Sequence, residues 1–210
     1  MTGPRARAHD DAVPDTAALV AAAASRSATD ADLDALAARC ESAPAEVAAA
    51  LAADRDRTSM LVYGRVVLAS AAGPRLLGAL VETGAGTVLD LLADPNGLGL
   101  LITCEAHMPA VGAALERAGR SDVLLPGVAH HARLAFQVMV GVRDRDVGLR
   151  GIDAHVAGLA AELRRLPPSL RPRVEQAVRE VAGQVAREGR HAADVYDMHD
   201  KVLRALSEER

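Results

Sequence analysis

Apolar residues recur three and four positions apart along most of the chain, the spacing that lines one face of an α-helix. Residues 17–25 form a short Ala/Val run, and Leu33, Leu36 and Ala37 repeat at helical spacing after Thr29. Thr29 with Asp32 three residues on has the form of a capping box, so a helix is predicted to start there. Ser42 and Pro44 mark a further start, with Glu46 in the first turn and Val47, Ala50 and Leu51 on one face. Residues 60–72 are strongly apolar up to Gly73-Pro74. Residues 75–92 carry Leu76, Leu77, Leu80, Val88, Leu91 and Leu92 with Gly84 and Gly86 between them. An interior glycine costs about 1 kcal/mol relative to alanine, so this helix is predicted to break at that pair.

Asp94-Pro95-Asn96-Gly97 signals a turn. The apolar runs 98–103 and 123–125 are too brief to assign by periodicity, and with helical 109–118 between them they admit a β-α-β unit. A lone unit would lack a sheet to join. Residues 128–142 and 147–166 then read as two helices separated by Arg143-Asp144-Arg145-Asp146, Pro167-Pro168 breaks the pattern, and 171–188 and 191–207 form a hairpin hinged at Gly189. The fold expected is an all-α bundle of about eight helices. It divides into a flexible leader (1–15), a helical domain (16–166) and a C-terminal hairpin packed on it (167–210).

Composition sharpens this picture. Aromatic residues are 1% of the 210, namely Tyr63, Phe136 and Tyr196, so the core must be built from Ala, Leu and Val, which favours closely packed helices. A net charge of -4 with acids interspersed among the arginines argues against a nucleic-acid surface, which needs clustered cations. Cys40 and Cys104 lack a CxxC partner and suggest neither a zinc cluster nor a disulfide framework. No signal-peptide pattern follows Arg5 and Arg7, and no stretch approaches 18 uninterrupted apolar residues, so a cytoplasmic chain that spans no membrane is expected.

The candidate chemistry rests on histidines and carboxylates, because neutral imidazole is the commonest transition-metal ligand. The seven are His9, His107, His130, His131, His155, His191 and His199. None has HExxH spacing. His130 and His131 point about 100° apart on a helix, so at most one faces a given cavity. His131 and His155 fall on consecutive helices that a short junction would pair antiparallel, which would bring them together. The window His191, Asp194, Asp197, His199, Asp200 is dense in ligand types, yet a solvated face with Asp197 pairing Lys201 accounts for it. No GxSxG, phosphate-loop or GxGxxG motif is present.

Two stretches carry a resemblance. Residues 17–38, AALVAAAASRSATDADLDALAA, resemble the opening helices of the FadR C-terminal effector domain of GntR-type bacterial transcription regulators. Residues 144–156, DRDVGLRGIDAHV, are similar to that domain's closing helix, where an acid precedes a metal-ligating histidine. Ala71-Ala72-Gly73-Pro74 sits where the family often has Gly-Asn-Pro. Members normally carry an Asp and a His before that motif, and Leu61 to Arg65 offers neither. No winged-helix DNA reader precedes the matching stretch. The resemblance implies an effector-binding or sensor domain, commonly dimeric, with His131 and His155 as metal positions and Asp56 as the third. The metal would be divalent (Zn, Ni or Mn), holding a small organic acid together with arginines, for which Arg65 and Arg133 are the candidates. Two alternatives stand beside it: a helical enzyme of specialised metabolism using histidine and carboxylate as acid and base, and a helical partner-binding protein without a pocket.

The charge balance predicts that this chain makes no direct, specific contact with duplex DNA. Gel-shift titration at physiological salt should show none, and nanomolar sequence-selective binding would contradict the expectation.

Overall fold

Thr29 caps the helix that begins at Asp30. Its hydroxyl accepts from the Asp32 backbone N–H at 3.4 Å, and the Asp32 carboxylate accepts from the Thr29 backbone N–H at 2.8 Å, closing the capping box that the sequence predicts. A computed structural model describes residues 15–95, 99, 101, 106–144, 150–189 and 191–208, with no side-chain description for 142–144 and 150–152. Most of the expected leader, most of the 98–103 run, Cys104 and the 145–149 junction lie outside those residues. The chain is 84% helical, and no strand occurs among the described residues, so the all-α fold holds.

The first half is a layer of short helices: α1 (Thr16–Ala23), α2 (Asp30–Ser42), α3 (Pro44–Ala53), α4 (Arg55–Tyr63), α5 (Arg65–Ala69), α6 (Gly73–Glu82), α7 (Gly86–Leu92) and α8 (His107–Arg117). A polar clasp ties the first three: Arg39 Nε donates to Thr16 Oγ1 at 2.9 Å, and both side chains reach Glu46 Oε2, at 2.6 and 3.1 Å. The axis is α6, packed between α2 and α8, with Leu76, Leu77, Leu80 and Val81 buried. It stops at Gly84, whose φ of +69° is the left-handed conformation that terminates helices, and the break between α6 and α7 falls where Gly84 and Gly86 predict it. The helices are more numerous and shorter than the expected eight. The apolar run at 60–72 explains one difference, since Gly64 splits it into α4 and α5.

A 3-10 turn at Ser121–Leu124 leads to the second half, so Val123 and Leu124 are not in a strand. Here α9 (Leu125–Asp144), α10 (Arg150–Arg164), α11 (Arg171–Glu188) and α12 (Ala192–Ser207) close a four-helix ring in which α9 and α12 each contact both α10 and α11. The C-terminal hairpin therefore shares one core with α9 and α10, around the fully buried Phe136 and with Val178 and Val202 buried beside them. On the outside, Arg133 grips Glu188 through two bonds of 2.8 and 2.9 Å and Gln184 at 3.2 Å, fastening α9 to α11. Residues Ser121–Gly141 are long and apolar enough, by length and composition, to cross a membrane. One side of that helix is occupied as a packing face of the ring.

Two glycines set how closely elements approach. A Cβ on Gly112 of α8 would lie 2.7 Å from Cγ of Pro167, so its absence lets the Pro167-Pro168 turn seat against α8, where Ser169 also donates to Glu116. At Gly73 a Cβ would fall 2.0 Å from the Val67 carbonyl oxygen and 2.7 Å from His107 Nε2. The carbonyl is backbone and cannot swing away. Gly73→Ala should therefore cost about 1–3 kcal/mol of stability by overpacking. Urea denaturation of the full chain checks this, and an unchanged midpoint would contradict the close packing.

Candidate functional site

Two places could serve a ligand. The first contains the histidines expected to meet. His131 on α9 and His155 on α10 line one groove of about 230 Å³, and Glu162, a residue sequence reasoning did not select, completes it with Oε2 3.4 Å from His131 Nδ1. Glu162 lies seven residues after His155, so both occupy one face of α10. The other edge of the His131 ring faces Gly99, where an added Cβ would sit 3.2 Å from Nε2. The groove opens on the surface between α9 and α10 rather than in the bundle interior. Asp56 does not reach it: it is exposed in the first turn of α4, in the other half of the molecule. Its carry-over depended on a family pattern that this stretch of chain only partly follows. Among the described residues, no three His, Cys, Asp or Glu side chains gather closely enough to hold a metal ion.

The second place is larger. A cleft of about 560 Å³ opens between the end of α1, the end of α4 and the start of α5. Gly64 shapes it. A Cβ there would lie 2.1 Å from the Met60 carbonyl oxygen, so only glycine lets α4 hand over so sharply to α5 and place Arg65 at the mouth. The C-terminal end of α4 is anchored by Tyr63, whose hydroxyl donates to the Leu91 carbonyl. Burial, with the charge of Asp94 added, pushes that phenol well above its ordinary value, so it stays a neutral donor. Behind the cleft, the His107 ring on α8 meets the Val67 carbonyl of α5 at 3.2 Å, with Nε2 as the donor.

Arg26 and Arg65 both line the cleft, and neither has an ion-pair or hydrogen-bond partner among the described residues. Arg26 escaped the sequence reading because Asp30 and Asp32 follow within six residues and look like natural partners. Each is drawn elsewhere. Asp30 accepts from Ser70, and Asp32 is held by Thr29, whose hydroxyl and backbone keep that carboxyl below the usual range. Arg65 has Leu61 and Ala69 at helical distance, so sequence alone leaves it without an acid. Arg133, the other candidate for the ligand, is engaged by Glu188 and Gln184 on the far side of α9 from the histidine groove.

The titratable groups of the 191–201 window pair locally. His191 approaches Asp194 at 3.4 Å, Lys201 bridges Asp197 at 2.9 Å and Asp153 at 3.6 Å, and His199 is buried with Nδ1 2.9 Å from Asp200. This is the locally paired face that the sequence suggests for the 191–201 window. Comparison with family models, with curated proteins and with solved structures finds no match for this chain.

Cys40 lies on the buried face of α2, and burial pushes its thiol up to about 12, which removes it as a nucleophile at neutral pH. The folded state prefers the protonated thiol. Its contribution to stability is therefore intact below the ordinary thiol pKa of about 8.5 and is lost as pH rises towards the folded value. In a Cys104→Ser background, Cys40 should resist thiol reagents at neutral pH until the chain is unfolded. Rapid labelling of the native protein would contradict this.

Proposed function

We propose that this chain is a small-molecule-binding protein of the effector or sensor type, and that it takes an organic anion in the cleft between α1, α4 and α5. One observation carries the reading: two guanidinium groups share a cleft of about 560 Å³ and have no acidic partner among the described residues. Unpaired arginines at a concave surface suit a carboxylate or phosphate, which the planar guanidinium fork binds through two parallel bonds. The volume falls within the range of small-ligand sites, and Met60 and Val67 supply apolar contact beside the charges. The resemblance of residues 17–38 to an effector domain points the same way, since those residues include Arg26 and form α1 and part of α2. The reading requires no metal. Its chemistry is binding by charge and shape, with α5 held in place by His107.

A charge-assisted hydrogen bond contributes about 1.5–3 kcal/mol, and 1.4 kcal/mol is a tenfold change in affinity. Arg26→Met and Arg65→Met should each weaken binding of a small carboxylate by about tenfold or more, whereas His131→Ala should leave it unchanged. Calorimetric titration of the full chain against a panel of aliphatic and aromatic carboxylates and simple phosphate esters tests this. Binding that survives both arginine substitutions, or no binding across the panel, would overturn the reading.

A further inference from the structure

Apart from Gly99 beside His131, the face formed by α9 and α10 has no partner among the described residues, and apolar side chains stand open on it. Leu134 and Val138, one helical turn apart on α9, are 46% and 47% exposed, two of the few large apolar side chains open to solvent among the described residues. Beside them α10 presents Ala154 and Gly158, both exposed and lining the same groove. Scattered exposed apolar residues need no explanation, but a contiguous set on two adjacent helices does.

Gly158 is the most telling of them. It sits in the middle of α10, where glycine costs about 1 kcal/mol relative to alanine, and a Cβ added there would meet nothing within 4 Å. Nothing among the described residues requires glycine at that point. A second backbone approaching closely from outside would.

We infer that this face is a two-fold interface between two copies of the chain, centred on Gly158. The donor and acceptor at the groove's ends select a second copy over other occupants. His155 lies at one end with no hydrogen-bond or ion-pair partner among the described residues, and Glu162 lies at the other, about 10 Å further along α10 at 1.5 Å per residue, with Oε2 facing His131 at 3.4 Å and its second oxygen left to accept from outside. A two-fold axis through the middle of the groove, beside Gly158, exchanges these ends. Each copy's His155 then faces the other's Glu162, so the imidazole N–H donates to the carboxylate at both ends of one contact. The Leu134 and Val138 side chains of each copy fall on the small residues of the other. The groove supplies both the projections and the recesses, and both the donor and the acceptor, which is what a self-complementary surface requires.

Sedimentation equilibrium of the full chain should show a dimer, and both Val138→Glu and Gly158→Arg should shift it to monomer with unchanged helical circular dichroism. His155→Glu should weaken association by about tenfold or more, placing like charges opposite Glu162. In a Cys104→Ser background, Gly158→Cys should form a disulfide-linked dimer under mild oxidation, and Arg179→Cys, on the exposed side of α11, should not. A wild-type monomer at the highest attainable concentration would overturn the inference. If deleting residues 1–14 then made the chain associate, the occupant would be that segment instead. A dimer that persists through Val138→Glu and Gly158→Arg, or crosslinking equal at both cysteines, would place the interface elsewhere and equally end the proposal.

Discussion

The contact between His107 and the Val67 carbonyl, closed over the bare backbone of Gly73, is the constraint on which the first half of the molecule depends. It draws three elements to one point: the end of α5, the start of α6 and the start of α8. With α6 fixed there, its apolar face is committed between α2 and α8, and the buried Leu76, Leu77 and Leu80 follow from that placement. With α5 fixed, the backbone places Arg65 at the mouth of the cleft. Its five residues could not hold a helical conformation alone, because a single turn does not repay its own nucleation. Tertiary contact makes α5 a helix and places Arg65 beside the cleft.

The same economy recurs wherever the chain lacks large side chains. A core with a single phenylalanine and no tryptophan fills its volume by bringing helices close, and close approach depends on what is missing from the backbone. Gly112 admits the Pro167 ring, and Gly64 admits the Met60 carbonyl. Gly158 differs from them, since a Cβ there would meet nothing within 4 Å among the described residues, and the proposed two-fold contact would supply its neighbour.

Much of the fold was legible in the pattern of residues. The capping box at Thr29, the break at Gly84 and Gly86, the helix ending at Gly119 and the four helices after Pro126 each have a local physical cause, in a side-chain cap, a left-handed glycine or uninterrupted apolar spacing. The division of the 60–72 run was not legible, because Gly64 is needed only to avoid the clash a Cβ would make with the Met60 carbonyl once the chain turns there. The candidate sites were read in part. His131 and His155 do share a groove, as their placement on consecutive helices suggests, but Glu162 and not Asp56 joins them. Arg26 stayed hidden because its apparent partners are taken by Ser70, forty residues from Asp30, and by a helix cap. Whether a charge is free is settled by tertiary contacts, and neighbouring letters in a sequence can mislead about it.

The central claim is that the free guanidinium groups of Arg26 and Arg65 form an anion site. It is tested most directly by a crystal of the full chain grown with a bromine-labelled aliphatic carboxylate, using the anomalous signal of bromine to find the ligand. The account predicts one strong peak in the cleft between α1, α4 and α5, with the carboxylate within hydrogen-bond distance of one or both arginines. A cleft without bromine, with the ligand in the His131–His155 groove or nowhere, would contradict it.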